Sequence, residues 1–205
     1  MRLLIHSENV PTVLAIDFSK NCGAMGAGVV VFRGSVVKQS EELAMTSHRI
    51  GSLLAERGSY RKALKMAFWG IHMRETGKFL ERYISSTRLF AVEKAYAVRN
   101  VESKKLGKVI RQVIRDYGEP IIFADKLDGD EASLLNEAGF EKWVEGKNYF
   151  VALSDVVAYY AMLLTYLEIK EKEQNCQVDK DTLRKRIEKL DEILKNSFED
   201  RLEVV

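Results

Sequence analysis

The chain has 205 residues, of which 46% are hydrophobic and 30% charged, with a formal net charge of +2. That length supports one substantial core and is short for two full catalytic domains, while so small a net charge excludes a global basic field and leaves nucleic-acid contact to local patches. No run of about 18 apolar residues is present to span a membrane, and residues 1–10 lack the apolar stretch of a signal peptide, so a cytoplasmic protein is expected.

The first patterned stretch is Val13 to Ser19, VLAIDFS, an apolar run that delivers Asp17. A turn-rich segment leads to a second run, Ala27 to Phe32, and Arg33-Gly34 turns into a third, Ser35 to Gln39. β-Branched residues, short lengths and glycine punctuation predict three consecutive antiparallel strands. A carboxylate in a core strand is costly unless a positive charge meets it, so Asp17 either caps the strand, pairs with a Lys, or joins other carboxylates around a cation.

Ser40 to Gly58 is polar and small and has no assigned fold, and Ser59 to Ser86 has helical spacing interrupted by Gly70 and Gly77. Thr87 to Ala91 reads as an apolar strand running through Val92 into Glu93. Asn100 or Ser103 then caps a helix whose apolar stripe, Leu106, Val109, Ile110, Val113, Ile114 and Tyr117, stops at Gly118 and Pro120. Its opposite face carries Lys104, Lys108, Arg111 and Arg115, either a solvated surface or a phosphate track.

Ile121 to Ala124 is a short apolar strand ending in Asp125. Asp128-Gly129-Asp130-Glu131 resembles the start of a calcium loop but lacks the remaining ligands, which favours a turn and a helix from Glu131 to Ala138. A connector from Trp143 to Phe150 carries Lys147 and precedes a long apolar helix, Val151 to Ile169, with Ser154 and Asp155 in its first turn. After a polar linker, Leu183, Ile187, Leu190 and Leu194 mark a last helix from Asp181 to Phe198. Leaving that stripe in water would forgo roughly 1.5–3 kcal/mol per side chain, so it packs on the parent domain or on another subunit. The linker gives it reach, which favours a homo-oligomer and a division into a main domain, 1–170, and a C-terminal linker and helix, 171–205.

Cys22 and Cys176 match no metal spacing and are expected as free thiols; His6, His48 and His72 also lack ligand spacing. The excess of Lys, Arg and Glu over Gln is the composition expected of a thermophilic source.

The order of these elements, three antiparallel strands with an acid in the first, a strand ending in Glu, a helix, a strand, and a late helix opening on Asp, resembles the ribonuclease H-like fold. The resemblance implies a five-stranded mixed sheet flanked by helices, with the C-terminal helix as an extension. Leu89 to Tyr96 looks like the fourth strand of RuvC-type Holliday-junction resolvases with its catalytic Glu, and Ser154 to Ala161 is similar to their last-helix motif. Carried over, the resemblance implicates Asp17, Glu93 and Asp155 as catalytic metal ligands. Ala152 stands where those enzymes have a further acid or His, and Asp125 is the substitute. Taken whole, the chain also looks like an archaeal single-strand-specific 3′–5′ exonuclease of this fold. The implied activity is phosphodiester hydrolysis in DNA with Mg2+ or Mn2+. The helix face of Lys104, Lys108, Arg111 and Arg115, with Lys147, is the candidate contact to a single-stranded substrate, and Lys94, Lys126 or Lys147 is the candidate to neutralise charge developing on the phosphate. A RuvC-like junction endonuclease and a non-catalytic nucleic-acid binding module are the alternatives.

Overall fold

In a computed structural model the described residues are 12–21, 23–33, 91–145, 149–172 and 179–205. Strand β1, Thr12–Asn21, and strand β2, Ala24–Arg33, form a hairpin with Gly23 in the turn at φ 77°, a conformation that favours glycine. Strand β3, Ala91–Arg99, pairs antiparallel with β2. Helix α1, Ser103–Tyr117, leads to strand β4, Pro120–Ala124, which pairs parallel with β1. Helix α2, Gly129–Glu137, leads to the two-residue strand β5, Val144–Glu145, parallel to β4. Helix α3, Tyr149–Lys172, and helix α4, Lys180–Phe198, follow, and a 3-10 turn, Glu199–Arg201, delivers strand β6, Leu202–Val204, parallel to β3. The six-stranded mixed sheet has the order β5-β4-β1-β2-β3-β6, with β1 and β2 at its centre.

Side-chain alternation sorts the core into two layers. Leu14, Ile16, Val29, Val31, Tyr96 and Val98 face α1, whose Leu106, Val109, Ile110 and Val113 are buried against them. Val13, Ala15, Val30, Phe32, Ala95 and Ala97 face α3 on the other side. Two glycines of β2 decide how close α3 comes. A Cβ on Gly26 would lie 2.1 Å from the Met162 nitrogen, and one on Gly28 would lie 2.0 Å from the Ser154 carbonyl oxygen. Both obstacles are helix backbone, which cannot rotate away, so α3 lies directly on the strand, with Ala158 and Ala161 supplying its own small contact residues.

The structure departs from the sequence reading in the number and pairing of its strands. Among the described residues the sheet has six strands where five were expected: Val144–Glu145 pairs with β4 inside the stretch read as a connector, Leu202–Val204 adds an edge strand too short to register as a pattern, and the strand expected at 35–39 is not among those described. The strand expected to end at Glu93 runs on to Arg99, and it is the third described strand, paired with β2 and not with β1. Glu93 lies at a β-bulge, since Phe32 pairs with Val92 and Val31 with Lys94, and the residue that ended the apolar run is the bulged one. The helix reading of 59–86, the strand reading of 35–39 and the segment 40–58 lie outside the described residues, as do Cys22 and Cys176.

The boundary expected at 170/171 does not separate two cores. Leu183, Leu190, Leu194 and Phe198 are each at most 1% exposed, inside the same layer as α3. Tyr160 donates a 2.7 Å hydrogen bond to Asp191 Oδ1, tying α3 to α4, and β6 extends the sheet beside β3. The parent domain therefore covers the stripe, and the argument for a subunit partner drawn from it falls away.

Truncation after Lys172 is expected to abolish a cooperative thermal transition followed by circular dichroism, since four large buried side chains are lost at roughly 1.5–3 kcal/mol each. Gly28→Ala is expected to destabilise the fold by roughly 2–3 kcal/mol or more in urea titrations, because its methyl group meets backbone.

Candidate functional site

Strand β1 brings Asp17 to the carboxyl end of its pairing with β4, whose last matched pair is Ile16 with Ala124. Asp17 and Asp125 are thus the first residues of each strand beyond the ladder, side by side where the strands part. Each carboxylate accepts a hydrogen bond from the next backbone amide, Phe18 N to Asp17 Oδ1 at 2.9 Å and Lys126 N to Asp125 Oδ1 at 2.8 Å. Asp17 follows Val13 and Ala15 on the α3 face and is 8% exposed, a buried carboxylate on a central strand.

Asp155 arrives from α3 by the contact at Gly28. Gly28 is the register partner of Asp17, one strand spacing of about 4.8 Å away, and the Ser154 carbonyl lies over it. The residue after Ser154 therefore stands beside Asp17. Burial is the first cause that pushes the Asp17 carboxyl up, to about 8; the Asp155 charge is the second, the Phe18 amide opposes them, and Asp125 and Glu131 add further upward pressure.

Glu131 is the acid the sequence reading passed over. It sits in the first turn of α2 inside a capping box: Asp128 Oδ1 accepts from the amides of Asp130 at 3.1 Å and Glu131 at 3.0 Å, and Glu131 Oε2 accepts from the Asp128 amide at 3.0 Å. That reciprocal cap is why the Asp128 to Glu131 run forms a helix start and not a calcium loop. Asp-x-x-Glu was visible as a cap signature; its proximity to Asp17 was not, because it depends on β4 lying beside β1.

Glu93 does not belong to this group. Asp17 matches Gly28, which matches Ala97, so Glu93 is displaced by two strands, about 10 Å, and by four residues along β3, about 13 Å. The basic residues Lys104, Lys108, Arg111 and Arg115 are exposed on α1, which covers the sheet face opposite α3. A sheet and a helix separate that surface from Asp17 and Asp155, so it does not lead to them, and Arg111 turns back to the Ala138 carbonyl at 3.4 Å. Lys94 pairs with Glu203 at 3.2 Å, far along β3, while Lys126 is exposed beside Asp125. Lys147 lies outside the described residues.

Among the described residues no three His, Cys, Asp or Glu side chains close on a common point as a metal group. The donor chemistry of Asp17, Asp125 and Asp155 nonetheless fits a hard divalent cation: three carboxylates, one of them pushed toward its protonated form first by burial and then by its acidic neighbours. Among the described residues no helix is long and apolar enough to cross a membrane. Comparison with known proteins finds no matching family model, no matching curated protein and no matching solved structure.

The folded pKa of Asp17 lies above its usual 3.8, so its contribution to stability is greatest below about pH 4 and is lost as pH rises toward about 8. Asp17→Asn is therefore expected to stabilise the metal-free protein at neutral pH. Its advantage over wild type in urea midpoints is expected to grow across that window, by no more than about 1.4 kcal/mol per pH unit, and to vanish at pH 3.

Proposed function

We propose that this protein is a divalent-metal-dependent nuclease of the ribonuclease H-like class, acting on DNA through Asp17, Asp125 and Asp155. The observation that carries the reading is the buried Asp17 on the central strand with the charges of Asp155 and Asp125 converging on it. The fold class is supported by the strand order, with a three-stranded antiparallel unit, β1 to β3, and two parallel strands, β4 and β5, added beside β1. In that arrangement the second acid comes from the strand flanking β1, a position Asp125 occupies and Glu93 does not.

Mg2+ or Mn2+ bound between these carboxylates would supply Lewis-acid stabilisation of the charge that builds on a phosphodiester and lower the pKa of an attacking water. Asp17 contributes a nearly dry oxygen donor whose position is set by the β1 ladder and the Phe18 amide. Asp155 is held by the backbone seating of α3 on Gly28, and Asp125 by its own turn at the end of β4. Rigid placement of donors before the substrate arrives is the chain's main contribution to rate. The single-strand preference and 3′–5′ polarity rest on the sequence resemblance.

Incubation of end-labelled single-stranded, duplex and four-way DNA with and without Mg2+ tests the reading. Metal-dependent shortening of the single strand from its 3′ end is expected; symmetric nicking of the four-way substrate would assign a junction endonuclease, and binding without cleavage a non-catalytic module. Asp17→Asn, Asp125→Asn and Asp155→Asn are each expected to reduce cleavage to the level of the metal-free control, while Glu93→Gln retains it. A fully active Asp125→Asn together with an inactive Glu93→Gln would overturn the assignment of the second acid.

A further inference from the structure

Past the last matched pair, Ile16 with Ala124, the ends of β1 and β4 part, and Lys20 reaches across that gap. Its Nζ lies 2.6 Å from Asp128 Oδ2, 3.4 Å from Glu131 Oε1 and 3.9 Å from Asp130 Oδ2. We propose that Lys20 is a positioning residue, an ammonium clamp that fixes the first turn of α2 to the end of β1 and so holds Asp125 and Glu131 in place against Asp17. The inference rests on the nuclease reading given above.

Lys20 is three residues beyond Asp17 on the same strand, and its backbone is held in the hairpin opposite Met25. On the other side, only Lys126 and Leu127 separate Asp125 from Asp128. Two acids on separate strands are thereby joined through one ion pair with little intervening chain. Asp128 serves two purposes with two oxygens: Oδ1 caps α2 by accepting the amides of Asp130 and Glu131, while Oδ2 faces Lys20. Glu131 is likewise divided, Oε2 accepting the Asp128 amide and Oε1 facing Lys20.

The Lys20 side chain is 33% exposed, and its partners range from 14% for Glu131 to 56% for Asp128 and 93% for Asp130, so the Glu131 pairing is the least screened of the three. Burial acts to lower the Lys20 pKa and the acidic partners, led by the Asp128 hydrogen bond, outweigh it, leaving a net upward shift. Without the ammonium, Asp128, Asp130 and Glu131 would face one another as like charges with no cation between them. The segment after β4 would then relax away from β1, taking Asp125 with it.

The test uses the full chain with Lys20→Met, Lys20→Arg and Asp128→Asn, the last of which keeps a capping side chain while removing the nearest of the three ionic partners. Steady-state cleavage of single-stranded DNA with Mn2+ is expected to show kcat reduced roughly tenfold or more in Lys20→Met with KM nearly unchanged, as misplacement of catalytic groups predicts. Lys20→Arg is expected to restore most of kcat. Asp128→Asn, which leaves Glu131 and Asp130 facing Lys20, is expected to show a smaller loss of kcat than Lys20→Met, and the double variant to be no worse than Lys20→Met, because both changes act on the same clamp.

Amide hydrogen exchange at Phe18 and Lys126, the donors to Asp17 and Asp125, provides a readout independent of activity. Exchange faster in Lys20→Met and recovered in Lys20→Arg supports the clamp; if wild type then cleaves no DNA, the nuclease reading falls while the clamp stands. Unchanged exchange with unchanged kcat overturns the clamp. A raised KM with intact kcat also overturns it, assigning Lys20 instead to the substrate phosphate.

Discussion

The contact on which the structure depends is backbone against backbone: α3 lies on β2 where Gly26 and Gly28 offer no side chain. Ordinary helix-on-sheet packing interposes a layer of side chains, and their length sets the separation. Here that layer is missing at two positions on one face of the strand, and the helix descends until its own atoms meet the sheet. The gain is positional. Ser154 lands on the glycine opposite Asp17, so one sterically determined contact carries a carboxylate from a helix to the side of a carboxylate on a strand.

That geometry has an energetic consequence that runs against stability. A carboxylate buried to 8% exposure and pressed by Asp155, Asp125 and Glu131 favours its neutral form when no cation is bound. Folding must therefore be driven from elsewhere, and the two apolar layers supply it: one between the sheet and α1, the other between the sheet and the pair α3 and α4. A fold that accepts such a cost at one point of its central strand follows the pattern seen where local rules are broken at functional sites, and that pattern supports the proposed metal site.

Much of this was legible residue by residue. Alternation in VLAIDFS and in the run ending at Phe32 marked the central hairpin, the stripe of α1 marked its buried face, and Asp17, Asp125 and Asp155 could each be singled out by position. What the residues did not show was which strands are neighbours. Glu93 ended an apolar run as Asp125 did, and only the pairing of β4 with β1 separates an acid beside Asp17 from one at a bulge two strands away. The α1 basic face was likewise visible as a pattern, yet its side of the sheet is a property of the crossover between β3 and β4. The stripe of α4 showed that something must cover it; that the cover was the parent core depended on Phe198 and on a three-residue strand beyond it.

The pairing of β6 with β3 joins Ala95 to Leu202 and Ala97 to Val204, across more than half of the chain. During synthesis β3 lacks the edge partner it has among the described residues, and the α3 layer lacks Leu183, Leu190, Leu194 and Phe198, until residues 180–204 have been made. An edge and an apolar layer completed so late are the features that expose folding intermediates to aggregation and to chaperone capture. Pairing of β6 with β3 ties completion of this half of the core to translation through residue 204, and the high sequence separation of these contacts makes that step slow.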